Sequence, residues 1–232
     1  MSTNTASEFD SYAEDYEQAL EKGLRYSGED SAYFARGRIE WLGRRLAGLD
    51  APRERVLDFG CGTGSATPLL LEILGAERVI GTDVSRSLLR RARAEHGSDR
   101  SDFLPADEAP EAWADVAYCN GVFHHIAPEH RAAALSRVLA ALRPRGLFAL
   151  WENNPWNPGT RWVMRRIEFD RDAVTLTPPA ARRMLSSVGF EVLSTDSLFY
   201  FPRPLRALRK LESRLTNLPL GAQYMVLARR AQ

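Results

Sequence analysis

The feature that most constrains this chain is a single run, Val56-Leu57-Asp58-Phe59-Gly60-Cys61-Gly62-Thr63-Gly64. An apolar strand enters a loop with glycine at every second position, and a helical pattern follows near Thr67–Leu74. Glycine is needed where a backbone turns sharply or lets a ligand approach closely. The helix behind such a loop offers unpaired N–H groups and the positive end of its dipole. In open α/β sheets this turn, at the carboxyl end of a strand, is where nucleotide-like ligands sit. The next apolar run, Arg78–Thr82, ends at Asp83. A carboxylate about 20 residues past the glycine loop can accept hydrogen bonds from ribose hydroxyls.

The rest of the chain repeats the same texture. Short apolar runs at Arg55–Phe59, Arg78–Thr82, Asp102–Leu104, Ala114–Cys119 and Leu147–Trp151 alternate with helical patterns near Thr67–Leu74, Ser85–Glu95 and Glu129–Leu142. That alternation predicts parallel βαβ units and a doubly wound α/β sheet. Two helices precede it, from about Ser7 to Ala47, broken at Ser27-Gly28. They carry apolar sets including Phe9, Tyr12, Tyr16 and Leu20, then Tyr33, Phe34, Ile39, Trp41, Leu42 and Leu46. After Trp151 comes an irregular Pro/Trp/Arg-rich stretch to about Thr177. A helix at Pro178–Val188 closing on Gly189 follows, then a strand near Phe190–Asp196, a basic helix near Pro204–Thr216 and a strand near Gln223–Ala228. The expected organisation is an N-terminal helical lid over residues 1–50 and a core over 51–232, with a substrate-side insertion near 152–177.

Composition narrows the partners. A formal net charge of +1 gives no global pull toward nucleic acid or membrane. No apolar run approaches the roughly 20 residues that span a bilayer, and the polar, acidic start, Met1 to Asp15, does not read as a secretory signal. Cys61 and Cys119 lie in separate motifs with no metal-ligand spacing, so no metal is expected and a reduced, cytoplasmic compartment is. Of the 31 basic residues only Lys22 and Lys210 are lysines; because the arginines are spread along the chain, a coding bias explains them better than a binding site does.

The spacing of the glycines bears on the ligand. A dinucleotide loop reads G-x-G-x-x-G and receives a pyrophosphate. Here it reads G-x-G-x-G, with an acid, Asp58, two residues upstream. An acid there suits a ligand with an ammonium group and no phosphate, which describes S-adenosylmethionine. With these residues the chain resembles the class I S-adenosylmethionine-dependent methyltransferases, of the small-molecule group often labelled methyltransferase type 11, over roughly Tyr12 to Ala228. The resemblance implies a seven-stranded, mostly parallel Rossmann-like sheet whose last two strands pair antiparallel. It implies that Asp58, Gly60, Gly62 and Gly64 line the cofactor and that Asp83 binds both ribose hydroxyls. In Ala106-Asp107-Glu108-Ala109-Pro110, Asp107 would reach the adenine amino group with help from the Glu108 backbone, Asp102 being a rival. Asn120 would end the fourth strand against the cofactor, and Leu142-Arg143-Pro144-Arg145-Gly146 would turn into the fifth. In Phe9-Asp10-Ser11-Tyr12-Ala13-Glu14-Asp15-Tyr16, Tyr16 would close over the cofactor; the alternative is an amphipathic helix face.

Methyl transfer from a sulfonium needs alignment and a desolvated nucleophile, and a base only if the nucleophile must lose a proton. His124, His125 and Glu152 follow strand ends and are the catalytic candidates, His125 matching the family's recurring position. Trp156 and Arg161, in the insertion, are the substrate-binding candidates, Arg161 with its neighbours as a clamp for a carboxylate or phosphate; the alternative is a salt-bridged, solvated lid. The cleft should be aromatic, drawing on Trp151, Trp156, Trp162, Phe199 and Tyr200. The run Arg203, Arg206, Arg209, Lys210 and Arg214 reads as one solvated helix face, with an anionic lipid or substrate surface as the alternative. The expected activity is methylation of an oxygen or nitrogen on a small metabolite. Its rivals are a macromolecular substrate and a non-catalytic cofactor binder. Against the first, Asn120-Gly121-Val122-Phe123 stands where nitrogen methyltransferases of macromolecules commonly carry N-P-P-[YF].

Overall fold

The computed structural model describes residues 28–167 and 173–231. Seven strands form one sheet: β1 (Arg55–Phe59), β2 (Arg78–Asp83), β3 (Ser101–Pro105), β4 (Ala114–Asn120), β5 (Leu142–Asn153), β6 (Phe190–Leu198) and β7 (Gln223–Arg230). Their order is β3-β2-β1-β4-β5-β7-β6. The first five pair in parallel, and β7 runs antiparallel between β5 and β6. The helices are α1 (Ser31–Gly48), α2 (Thr67–Glu72), α3 (Arg86–His96), α4 (Pro128–Ala141), α5 (Pro158–Met164), α6 (Pro178–Ser187) and a short α7 (Glu212–Leu215). The doubly wound seven-stranded sheet expected from the sequence is therefore present. The chain changes winding direction at β1, so the crevice between the carboxyl ends of β1 and β4 is the switch point where such sheets bind ligands.

Alternation along each strand sorts the two faces. Val56, Val116, Tyr118, Leu147, Ala149, Trp151, Met225 and Leu227 pack on one side with Ile39, Leu42 and Leu46 of α1. Leu57, Phe59, Phe148, Leu150 and Val226 pack on the other with Leu135 and Val138 of α4 and Leu185 of α6. Ile39, Leu42 and Leu46 are fully buried, so α1 belongs to the core rather than to a separate unit ending near residue 50. Asp30 starts α1, its side chain accepting the Tyr33 N–H at 2.8 Å. The first helix expected from the sequence, with Tyr12 and Tyr16, lies outside the described residues.

Two elements differ from expectation. β5 begins at Leu142, so the Leu142–Gly146 turn is absorbed into the strand, with Arg145 at φ 65 and a register shift against β4 between Ala114 and Val116. The basic segment after β6 is mostly 3-10, Arg203–Leu211, ahead of the single turn of α7.

Candidate active site

The glycine loop turns as its sequence demands. Gly60, Gly62 and Gly64 have φ of 75, 55 and 76, conformations open to glycine. A Cβ at Gly60 would collide with Val122, and one at Gly64 would lie 2.8 Å from the Phe103 ring, whereas at Gly62 it would meet nothing within 4 Å. Gly62 thus presents bare backbone to the crevice. The N–H groups of Gly60 and Cys61 bond the Thr82 carbonyl at 2.7 and 3.0 Å, fixing the loop to the end of β2. Asp83 closes the arrangement: Oδ2 accepts the Gly62 N–H and Oδ1 the Ser85 N–H, each at 2.9 Å. Asp83 also lies in the lining of the crevice, where a diol would meet its carboxylate.

Asp58, one pleat before the loop, points to the α1 side of the sheet. It is 2% exposed, and Oδ2 has no hydrogen-bond partner. Burial pushes its carboxyl up to about 7, the charge of Asp83 adds to the rise, and Arg38 opposes it. Arg38 comes from α1 and is itself buried. Its Nε donates to Tyr118 Oη at 3.1 Å and its Nη1 to Gln223 Oε1 at 2.9 Å, both neutral partners. An orphaned carboxylate oxygen and a guanidinium held by neutral groups, close enough to influence each other, complement a zwitterion such as an amino-acid tail. Sequence reading missed Arg38; its only signal was an arginine on the apolar face of a helix, one turn before Leu42.

A cleft of about 640 Å³, counting space open to solvent, runs along this edge. Gly60, Gly62, Thr82, Asp83, Val84, Leu88, Ala106, Asn120, Val122, His125 and Ile126 are in its lining. Asn120 therefore lies where it was expected. Asp107 and Glu108 are exposed and outside the lining, beside Ala106, which is in it. The Glu108 N–H is engaged by the Pro105 carbonyl at 2.9 Å, which corrects the expectation that it serves the cofactor. Asp102 pairs with Ile80, three registers from the Asp83 edge, and accepts the N–H of Phe103; it is no rival to Asp107. Tyr16 lies outside the described residues. Burial raises both cysteine thiols well above their usual range, in keeping with packing roles.

A second and larger cavity, about 1480 Å³, shares Asn120, Gly121 and His125 with the first. Its walls include Tyr33, Phe34, Phe199, Tyr200, Phe201, Trp162 and Ile167, with Arg38 and Gln223 toward the sheet. Tyr33, Phe34 and Phe199 meet edge to face at 5.0–6.0 Å. Trp151 is fully buried in the core and Trp156 is 44% exposed outside the lining. Arg161 is exposed as well, so neither Trp156 nor Arg161 faces this cavity; the guanidinium that does, besides Arg38, is Arg209. Far from being part of a solvated face, Arg209 pairs with Glu29 at 2.9 Å and lies 4.6 Å over the Tyr33 ring.

The three catalytic candidates are brought together but not as equals. Glu152 is 1% exposed and lines neither cavity. Its Oε1 accepts the Phe123 N–H at 2.9 Å, and its Oε2 lies 2.6 Å from His124 Nδ1. His124 contributes to the larger cavity, and its ring centroid is 4.1 Å from that of His125. A carboxylate against Nδ1 places the ring proton there and leaves Nε2 as the basic nitrogen.

Residues 57–148 match the family model described as a methyltransferase domain. A trans-aconitate 2-methyltransferase of Rhodopseudomonas palustris (strain BisB18) is 35% identical over 122 residues, 52% of this chain and 46% of that protein. A ribosomal protein L11 methyltransferase of Pseudomonas aeruginosa (strain LESB58) is 38% identical over 122 residues, 48% of this chain and 36% of that protein. The chain thus spans less than half the length of these relatives. A TehB-like methyltransferase structure from Corynebacterium glutamicum shares the fold at TM-score 0.61 and 20% identity, covering 96% of this chain and 99% of that one. Residues 57–148 thus match a methyltransferase domain, and the glycine loop, Asp83 and the strand order agree with the class I S-adenosylmethionine-dependent methyltransferase fold.

Proposed function

We propose that this protein is a methyltransferase that binds S-adenosylmethionine between β1 and β4 and methylates an oxygen or nitrogen of a small molecule held in the larger cavity. The observation that carries the reading is the complementarity of one edge of the sheet to one ligand. Asp83 suits a ribose diol, Val84, Leu88, Ala106 and Ile126 suit an apolar base, and Arg38, on the wall of the larger cavity, with the buried Asp58, which lines neither cavity, suits the charges of an amino acid. When bound, the cofactor supplies a methyl group already activated on a sulfonium. The chain's own part is to orient and dry the acceptor and to remove its proton. Asn120 and His125, common to both cavities, bound the passage between them. Glu152 fixes the His124 ring, and Nε2 takes the acceptor's proton as the new bond to carbon forms. The aromatic walls exclude water and favour an acceptor with an apolar or aromatic body.

A protein acceptor is the alternative that the L11 methyltransferase relative raises. The aromatic lining of the cavity favours the small molecule. Calorimetric titration with S-adenosylhomocysteine, on wild type and Asp83→Ala, tests the cofactor reading. Micromolar binding lost in the variant is the expected result. No binding by folded wild type sinks the proposal.

A further inference from the structure

Between β6 and β7 the chain leaves the core. No residue of the 3-10 stretch Arg203–Leu211 or of α7 is buried. Yet the stretch is not polar. Leu205, Leu208 and Leu211 are 47, 41 and 45% exposed, and they recur at three-residue steps. The stretch kinks at Leu205, whose φ of -102 and ψ of 20 are not helical, and beyond the kink Leu208 and Leu211 stand one 3-10 turn apart on one edge. Pro204 and Ala207 are exposed as well. Leu218 and Leu220 are 48 and 58% exposed. Asn157 Nδ2 bonds the Leu220 carbonyl at 2.7 Å, and Asn154 Nδ2 the carbonyls of Pro219 and Gly221 at 3.0 and 2.8 Å. These bonds hold the turn that carries the exposed Trp156 against the end of the segment.

Charge distinguishes this surface from an ordinary apolar patch. Arg206, Lys210 and Arg214 are exposed, and no acid pairs with them among the described residues. The single acid between residues 203 and 221, Glu212, is turned inward, where Oε1 accepts the N–H groups of Tyr200 and Phe201 at 3.1 and 3.0 Å. The exposed side chains of this segment therefore include leucines and cations but no carboxylate, and the exposed Trp156 is held beside its end. An interfacial segment combines apolar side chains that enter the headgroup–acyl boundary with Lys and Arg that meet anionic headgroups. A second copy of the chain is a poor occupant. A two-fold contact sets the same patch against itself, and would bring these cations opposite one another.

We propose that residues 203–220, with Trp156, form a surface that lays this protein on an anionic lipid bilayer. The leucines and Trp156 enter the interface, and Arg206, Lys210 and Arg214 face the lipid phosphates. The same connection, through Phe201, Pro202 and Arg209, forms a wall of the larger cavity, so a bilayer there would lie beside the cavity. The inference does not depend on what the cavity holds.

Co-sedimentation of the full chain with vesicles tests it. Expected is binding to phosphatidylglycerol/phosphatidylcholine vesicles, little to phosphatidylcholine alone, and weakening as salt rises. Leu205→Gln/Leu208→Gln/Leu211→Gln, and separately Arg206→Glu/Lys210→Glu/Arg214→Glu, should each lower the partition coefficient at least about tenfold. Both should keep the wild-type melting temperature, because the altered side chains are exposed. Wild type remaining in the supernatant with anionic vesicles overturns the proposal. So does equal binding by the charge-reversed variant, or a concentration-dependent dimer that the leucine variant abolishes. Failure to bind S-adenosylhomocysteine would count against the proposed function and leave the vesicle result unaffected.

Discussion

At Asp58, stability and ligand binding oppose each other within one carboxyl. Its value rises from 3.8 to about 7 because burial disfavours the charge. Between those values the folded protein binds more protons than the unfolded chain, so stability falls as pH rises through that window, by about 4 kcal/mol in all. Asp58→Asn should flatten this contribution and make the protein more resistant to urea at pH 8 than wild type, with little difference at pH 4. It should also weaken S-adenosylhomocysteine binding at least about tenfold, since a neutral amide replaces the partner of an ammonium. A variant no more stable at pH 8 would show that the carboxyl is not so displaced. Glu152 gives a second test at this scale. Glu152→Gln keeps the volume but no longer fixes the His124 proton on Nδ1. The expected result, once an acceptor is found, is a kcat lower by about 10²–10⁴ with cofactor affinity unchanged. A loss confined to KM would assign Glu152 to packing. The sequence showed that Glu152 ends a strand, as active residues often do. It did not show which way the side chain turns. Being on the same side of β5 as Phe148 and Leu150 sends Glu152 toward α4 and His124, away from the acceptor.

Among the elements, α1 couples the sheet's antiparallel edge to the cofactor cleft. Trp41 Nε1 donates to Asp196 Oδ2 of β6 at 3.1 Å, and Arg45 lies 3.3 Å from the same oxygen. One turn earlier, Arg38 reaches Gln223 of β7 and Tyr118 of β4. Asp196→Ala would leave the Trp41 indole N–H without its buried acceptor and remove the charge beside the half-exposed Arg45 guanidinium, at about 1–3 kcal/mol. For a chain of this size that is a melting temperature lower by roughly 3–10 °C. The affinity for S-adenosylhomocysteine should fall as well, because Arg38 rides on the loosened helix. Unchanged melting would show that α1 is held by Ile39, Leu42 and Leu46 alone. Periodicity predicted this helix and its apolar face. Its alignment against β6 and β7 was not legible, since those strands lie about 150 residues further along the chain.

Over the whole molecule, a ligand that binds only the folded state stabilises it by mass action. S-adenosylhomocysteine at 100 times its dissociation constant adds about 2.7 kcal/mol, which should raise the melting temperature by roughly 5–10 °C. Asp83→Ala should remove most of that rise; an equal rise in both proteins would place the ligand elsewhere. Net charge belongs to this scale too, as an average over unlike segments. A total of +1 concealed a leucine-rich cationic segment whose one acid is folded inward. Among the described residues no helix is long and apolar enough to cross a membrane. By itself the sequence determined what depends on neighbours along the chain: the strand–loop–helix with its glycines, the alternation of strand and helix, and Asp83 at the end of the second strand. Those follow from local backbone sterics and from side-chain period. Only the tertiary structure decided which distant groups meet: Arg38 with Tyr118 and Gln223, Glu152 with His124, Phe199 with Tyr33 and Phe34, and Glu212 with the backbone of Tyr200. Strand order and helix crossing set those encounters, and both arise from burying every apolar face at once, a condition on the whole fold that no local stretch of sequence contains.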